Sequence, residues 1–208
     1  MIRVGIADDE DLVRDGIAAL IAQQAGMLVV SSVSSAHEAV ELADSGAVDV
    51  LLLDIQLGKR GGLDALEEIV ARGAKAKVVM VSSYPEEEYA VRALRAGAVG
   101  YVRKTGGVSG LVEAIQRAAV GQRHISPEVA GVLANFVKEG PAEPHHRLSN
   151  REYQVFLLLA VGRSVREIAQ ELHLSVSSVS TYRHRILEKL QLPRTADVIR
   201  YALSHRLV

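Results

Sequence analysis

Val48-Asp49-Val50-Leu51-Leu52-Leu53-Asp54 is an apolar run that ends on a carboxylate, and its reading decides the fold. A short, nearly continuous apolar segment of this kind is the pattern of a strand buried on both faces. Four other runs share the character: Ile2–Ala7, Leu28–Val33, Lys77–Ser82 and Val99–Val102. Between them lie stretches of helical period: Leu12, Val13, Ile17, Leu20 and Ile21, then Ala36–Ala43, Leu63–Val70, Ala90–Leu94 and Val108–Ala119. Buried strands alternating with helices specify a doubly wound α/β domain with a parallel sheet and right-handed crossovers. The ligand site of such a sheet lies at the carboxyl ends of its strands.

Composition narrows the classes. The chain has 208 residues, 49% hydrophobic and 24% charged, enough for two globular domains. It has no cysteine, which excludes disulfides and thiolate metal sites and suits a reducing cytoplasm. Met1 leads straight into the first strand without a signal-peptide pattern. The longest apolar run, Val155 to Val161, is too short to cross a bilayer. We therefore expect a cytoplasmic protein with no membrane partner. The net charge of −1 is unevenly spread: residues 147–208 carry ten Lys/Arg against five Asp/Glu, and the acids dominate the remainder. A basic tail behind an acidic body fits a polyanion partner, or a merely solvated face.

The strand ends carry complementary chemistry. Asp8 and Asp9 follow the first strand, Asp54 ends the third, and those strands are neighbours in a doubly wound sheet. Clustered carboxylates raise one another's pKa unless a cation sits among them. A hard divalent ion such as Mg²⁺ resolves this. Ser82 ends the fourth strand with a hydroxyl and Lys104 follows the fifth with an ammonium. Such a rim suits a phosphoryl group, with an Asp carboxylate as nucleophile. Each residue alone is ordinary; four strand ends together are not.

These positions resemble the receiver domain of two-component response regulators across residues 1–121, with a five-stranded sheet in the flavodoxin-like order 2-1-3-4-5. The resemblance implies that Asp54 is the phosphoacceptor and that Asp8, Asp9, Asp54 and the Gln56 carbonyl hold Mg²⁺. It makes Ser82, Tyr101 and Lys104 the switch and phosphate-binding residues, with Tyr101 turning in behind Ser82 on phosphorylation. It also implies that phosphate lifetime is tuned at Gln56 and Tyr84. Gly62 matches the usual glycine eight residues after the phosphoacceptor. Two positions depart from the family. Gly58, in Gly58-Lys59-Arg60-Gly61-Gly62, stands where receivers often have proline, and is expected to loosen the loop. Thr105 replaces a second common proline.

Residues 122–146 read as a linker with one helix. Ser126-Pro127-Glu128 is a helix start, followed by Val129, Val132, Leu133, Phe136 and Val137 at helical spacing, then Gly140–His146 without pattern. From Ser149 the period is helical, with helices expected near 150–161, 164–171, 175–190 and 195–204 and no strand. Val165 to Val179 reads as helix, turn, helix. Ile168, Ala169, Leu172 and Val179 face inward, His173 sits at the turn and Ser175 caps the second helix. That second helix offers Ser178, Thr181, Tyr182, Arg183, His184, Arg185 and Lys189 to phosphates and base edges. Arg183 lies one turn beyond Val179 and leans toward the core side, whereas Arg185 shares the exposed face of Thr181.

Residues 147–208 resemble the LuxR-type output domain, and Ser180-Thr181-Tyr182-Arg183 is most similar to GacA/UvrY/BvgA-like members. Receiver plus this domain is the NarL/FixJ-family architecture. It implies phosphotransfer from a sensor histidine kinase, dimerisation through the fourth-helix face or the first- and fifth-helix faces, double-stranded DNA as partner and RNA polymerase as a further contact. It implies a transcription regulator rather than an enzyme. A phosphatase or phosphomutase would place another acid two residues after the nucleophile, where Gln56 stands. A tail that contacts only protein is the third alternative. His145-His146 reads as a solvated pair, and His37, His124 and His205 have no assignable partner.

Overall fold

The computed structural model describes the chain apart from residues 59, 85, 128, 132, 135–143 and 206 and the side chains of residues 86–88. It divides into two compact units, residues 1–134 and 135–208. In the first, five strands form one sheet in the order β2-β1-β3-β4-β5, every pair parallel. They are β1 (Ile2–Ala7), β2 (Met27–Val33), β3 (Val50–Asp54), β4 (Lys77–Ser82) and β5 (Gly100–Arg103). The helices between and after them are α1 (Asp11–Ala22), α2 (Ala36–Asp44), α3 (Gly62–Ala71), α4 (Glu86–Ala96) and α5 (Gly107–Ala119). Both the fold and the order follow the sequence reading.

Side-chain alternation builds two cores. Val4, Ile6, Val50, Leu52, Val79, Val81 and Val102 pack against Ile17 and Ile21 of α1 and Leu111 and Ile115 of α5. On the other face Gly5 leaves space for α2: a Cβ there would lie 2.9 Å from Leu42. β3 is central and buried throughout, which is why it reads as continuous rather than alternating. Its burial also fixes Asp54 at the sheet rim with only 4% of its surface exposed. After β5, His124 donates its backbone N–H to Val99 and pairs with Gly100, extending the sheet by one bridge.

The Ser126 hydroxyl accepts from Val129 N–H and residues 129–131 and 133–134 are helical, as the cap predicts. Glu128, Val132, Phe136, Val137 and the linker residues 140–143 lie outside the described residues.

In the second unit the described regular structure is all helical: a 3₁₀ turn at Pro144–Arg147, then α6 (Asn150–Ala160), α7 (Val165–Glu171), α8 (Val176–Leu190) and α9 (Thr195–Ser204). Capping boxes start α6 (Ser149 with Glu152) and α7 (Ser164 with Glu167), and Ser175 caps α8. His173 adopts φ +53° at the turn, a conformation His tolerates better than most residues. The apolar run of α6 is a core helix, and among the described residues no helix is long and apolar enough to cross a membrane. The solvated reading of His145 is corrected. It is buried, with Nδ1 3.1 Å from the Tyr201 hydroxyl, because the 3₁₀ turn folds it onto α9. His205 stacks on the same Tyr201 ring.

The β3–α3 connection is the tightest point near the rim. Gly62 N–H donates to the Ile55 carbonyl at 2.8 Å, and a Cβ on Gly62 would fall 1.7 Å from the Asp54 carbonyl oxygen. Gly62→Ala should therefore lower the unfolding free energy by about 2 kcal/mol or more. Gly16→Ala, exposed inside α1 with nothing within 4 Å of the added Cβ, should raise it by about 0.5–1 kcal/mol. Urea denaturation distinguishes the two; equal effects would contradict this packing.

Candidate functional site

The rim of the sheet brings together the acids that the sequence placed at strand ends. One carboxylate oxygen from each of Asp8, Asp9 and Asp54 lies within 4.8 Å of the others. Asp8 and Asp54 are only 1% and 4% exposed. Each is held from within: Asp8 Oδ1 accepts Glu10 N–H at 2.9 Å and Asp9 Oδ2 accepts Gly58 N–H at 3.0 Å. The Asp54 carboxylate accepts Gln56 N–H.

Lys104 is placed by its own backbone, whose N–H donates to the Ser82 carbonyl at 2.7 Å. Its ammonium then lies 2.8 Å from Asp8 and 3.0 Å from Asp54, with Glu10 at 3.8 Å. Among the described residues, the ion pairs to the three-Asp cluster come from Lys104 alone. Three carboxylates facing one ammonium leave an excess of negative charge, which fits a hard divalent cation with oxygen ligands. Burial pushes the Asp54 carboxyl up to about 7, and Asp8 adds to the rise while Lys104 opposes it. Burial pulls the Lys104 ammonium down, but Asp54 and Asp8 outweigh it and hold it above its ordinary value.

The remaining pocket residues sit where their strands put them. Asp54 pairs in register with Val81, so Ser82 stands one residue beyond on the neighbouring strand; it is buried, and its hydroxyl accepts Tyr84 N–H at 3.1 Å. Tyr101 is also buried, and its hydroxyl donates to the Tyr84 carbonyl at 3.1 Å. The ring is turned inward. The Gln56 amide donates to the Tyr84 hydroxyl at 2.5 Å, joining directly the two positions to which the resemblance assigns phosphate lifetime. Sequence reasoning named both positions but not their bond.

Gly58 gives a result the sequence did not. Its φ is +55°, which proline cannot adopt, and its N–H, which proline lacks, holds Asp9. The glycine anchors the acidic cluster, where a looser loop was expected.

In the second unit α7 and α8 form the helix-turn-helix. Ile168, Ala169, Leu172 and Val179 are buried as expected. Thr181, His184 and Arg185 are exposed, while Ser178, Tyr182 and Arg183 are half-buried. Ser178 Oγ lies 2.7 Å from Ser175 Oγ within the cap, and the Thr181 hydroxyl donates to the Ser177 carbonyl. Lys189 is engaged differently: its ammonium lies 2.6 Å from Glu152.

Comparison with known proteins agrees with this geometry. Residues 4–116 match the response regulator receiver domain family, and residues 146–202 match the luxR family of bacterial regulatory proteins. The response regulator GacA of Pseudomonas aeruginosa is 36% identical, covering 100% of this chain and 98% of that protein. The response regulator UvrY of Escherichia coli K12 is 34% identical, covering 100% and 96%. The crystal structure of the response regulator ChrA, from a heme-sensing two-component system, aligns with a TM-score of 0.55 at 28% identity, covering 100% of this chain and 98% of that one. The chain therefore belongs to the NarL/FixJ-type response regulators, transcription regulators in which a receiver domain is joined to a LuxR-type helix-turn-helix DNA-binding domain.

Proposed function

We propose that a sensor histidine kinase transfers a phosphoryl group to Asp54, and that this controls dimerisation and sequence-specific DNA binding. The observation that carries the reading is the meeting of Asp8, Asp9, Asp54 and Lys104 at one buried rim. An Asp54 oxygen attacks phosphorus, the bond to the donor breaks, and an acyl phosphate forms. Asp8, Asp9, Asp54 and the Gln56 carbonyl would hold Mg²⁺, which when bound neutralises phosphoryl oxygens. Lys104 offers its ammonium and Ser82 its hydroxyl to the same oxygens. The new charge of about −1.5 to −2 draws Ser82 inward and favours the conformation in which Tyr101 is turned in behind it.

We assign residues 1–121 to the receiver, 122–146 to the linker and 147–208 to DNA binding, in a cytoplasmic protein. The N-terminal half of α8 enters the major groove. Ser178, Thr181, Tyr182, Arg183, His184 and Arg185 make its contacts, and RNA polymerase is a further partner of the bound homodimer.

Incubating the chain with a small acyl phosphate and Mg²⁺ should give one hydroxylamine-labile adduct on Asp54 and a rise in mass by light scattering. Full labelling of Asp54→Ala, with Asp8 and Asp9 unlabelled, would remove Asp54 as acceptor. A monomeric mass after complete labelling would remove the dimer.

The raised Asp54 pKa has a thermodynamic consequence. Without metal, the folded state holds this proton more tightly than the unfolded chain does. Stability from this group is therefore full below about pH 4 and is lost as pH rises through about 7. Asp54→Asn should lack this decline, so its stability relative to wild type should rise across that window and be greater at pH 8. Mg²⁺ at a hundred times its Kd should restore about 2.7 kcal/mol to the wild type and little to the variant. Thermal melts of both proteins from pH 4 to 8 test this; a stability difference between them that does not change with pH refutes the buried-carboxylate account.

For DNA, Thr181→Ala, Arg183→Ala and Arg185→Ala should be titrated against a selected duplex and its scrambled form at several salt concentrations. A base contact costs roughly 1–3 kcal/mol on the selected duplex alone. A phosphate contact weakens both and lowers the salt slope by about 1. Wild-type binding by all three variants would show that α8 does not read DNA.

A further inference from the structure

We propose that Lys189, although it lies on the recognition helix, is a positioning residue whose ammonium anchors the C-terminal end of α8 to Glu152, and that it makes no contact with a DNA phosphate. This rests on α8 being the helix that reads DNA.

The Lys189 side chain is 39% exposed, but its ammonium is already engaged. Lys189 Nζ lies 2.6 Å from Glu152 Oε2, and the same oxygen accepts Ser149 N–H at 2.7 Å. Glu152 is 2% exposed, so its carboxylate depends on these donors in place of water. Burial alone would raise the Glu152 pKa, but Lys189 and the Ser149 N–H outweigh it and hold the group below the usual carboxylate range. Turning Lys189 toward a phosphate would exchange a partly buried ion pair for a solvent-screened one and strand a buried charge.

The position along the helix points the same way. Lys189 is the penultimate residue of α8, about 12 Å along the axis from Thr181. Val179, Ile186 and Leu190 bury the core side of the helix, and Gln191 ends it in a left-handed conformation at φ +54°. Apolar packing of this kind resists separation but tolerates small rotation and sliding. The ion pair adds a directional restraint at the far end, against the capping box that starts α6. The ammonium also lies 3.4 Å from the Arg147 carbonyl, at the end of the 3₁₀ turn. The start of α6 and that turn therefore set where α8 lies and how it is rotated, and through it the aim of Thr181 and Arg185.

The two roles predict opposite behaviour for Glu152→Gln. Glutamine keeps a carbonyl oxygen for Ser149 N–H, so the cap survives, but it removes the charge that holds the Lys189 ammonium. The test uses the full chain, a duplex selected from a random pool by the wild type, and a scrambled duplex. Glu152→Gln and Lys189→Met should each weaken the selected duplex by at least about tenfold. Scrambled binding and the salt slope should stay at wild-type values, and Lys189→Arg, which keeps the pair, should recover most of the loss. If Lys189→Met does not fold, Glu152→Gln against Lys189→Arg decides. The proposal is overturned if Glu152→Gln binds as tightly as wild type, or if Lys189→Met weakens both duplexes alike and lowers the salt slope by about 1. A wild type that selects no duplex would overturn the DNA reading and this role with it, and is recognised because the wild type itself fails.

Discussion

Three carboxylates crowded against one ammonium at the end of a buried parallel sheet are the constraint on which this molecule turns. Asp54 is placed by β3, the most buried strand, and is itself buried. Desolvation keeps its pKa near 7, so the cluster carries unspent electrostatic strain. A hard divalent cation held by these oxygens would relieve it. The parallel topology, the tight β3–α3 turn at Gly62 and the Lys104 backbone bond to Ser82 all hold the four groups in register.

The same rim is tied to the elements that must respond. Tyr84 connects three of them: its N–H to Ser82, its carbonyl to Tyr101 and its hydroxyl to Gln56. A displacement of Ser82 toward phosphoryl oxygens therefore pulls on the backbone that leads into α4 and on the partner of Tyr101. Tyr101, buried and bonded to the Tyr84 carbonyl, is therefore coupled to Ser82 through a single residue.

Much of this was legible in the sequence, for identifiable reasons. Strands buried on both faces leave continuous apolar runs, and Asp8, Asp9, Asp54, Ser82 and Lys104 could be assigned to strand ends because those runs stop abruptly. The cap at Ser175 and the left-handed His173 were readable because both depend on local backbone chemistry. What escaped depends on distant side chains. Nothing near Gly58 signals that its N–H meets Asp9, 49 residues away. His145 looked solvated because its partner, Tyr201, is 56 residues on. Nothing near Lys189 signals its ion pair with Glu152, 37 residues earlier.

The central claim joins the two units: the state of the Asp54 carboxylate governs how α8 engages DNA. The most direct measurement is the affinity of the full chain for a selected duplex before and after stoichiometric phosphorylation with Mg²⁺ present, in wild type and Asp54→Asn. The account predicts a gain of at least about tenfold in the wild type, corresponding to a coupling free energy of about 1.4 kcal/mol, and none in the variant. Equal affinity in both states of a fully phosphorylated wild type would contradict it.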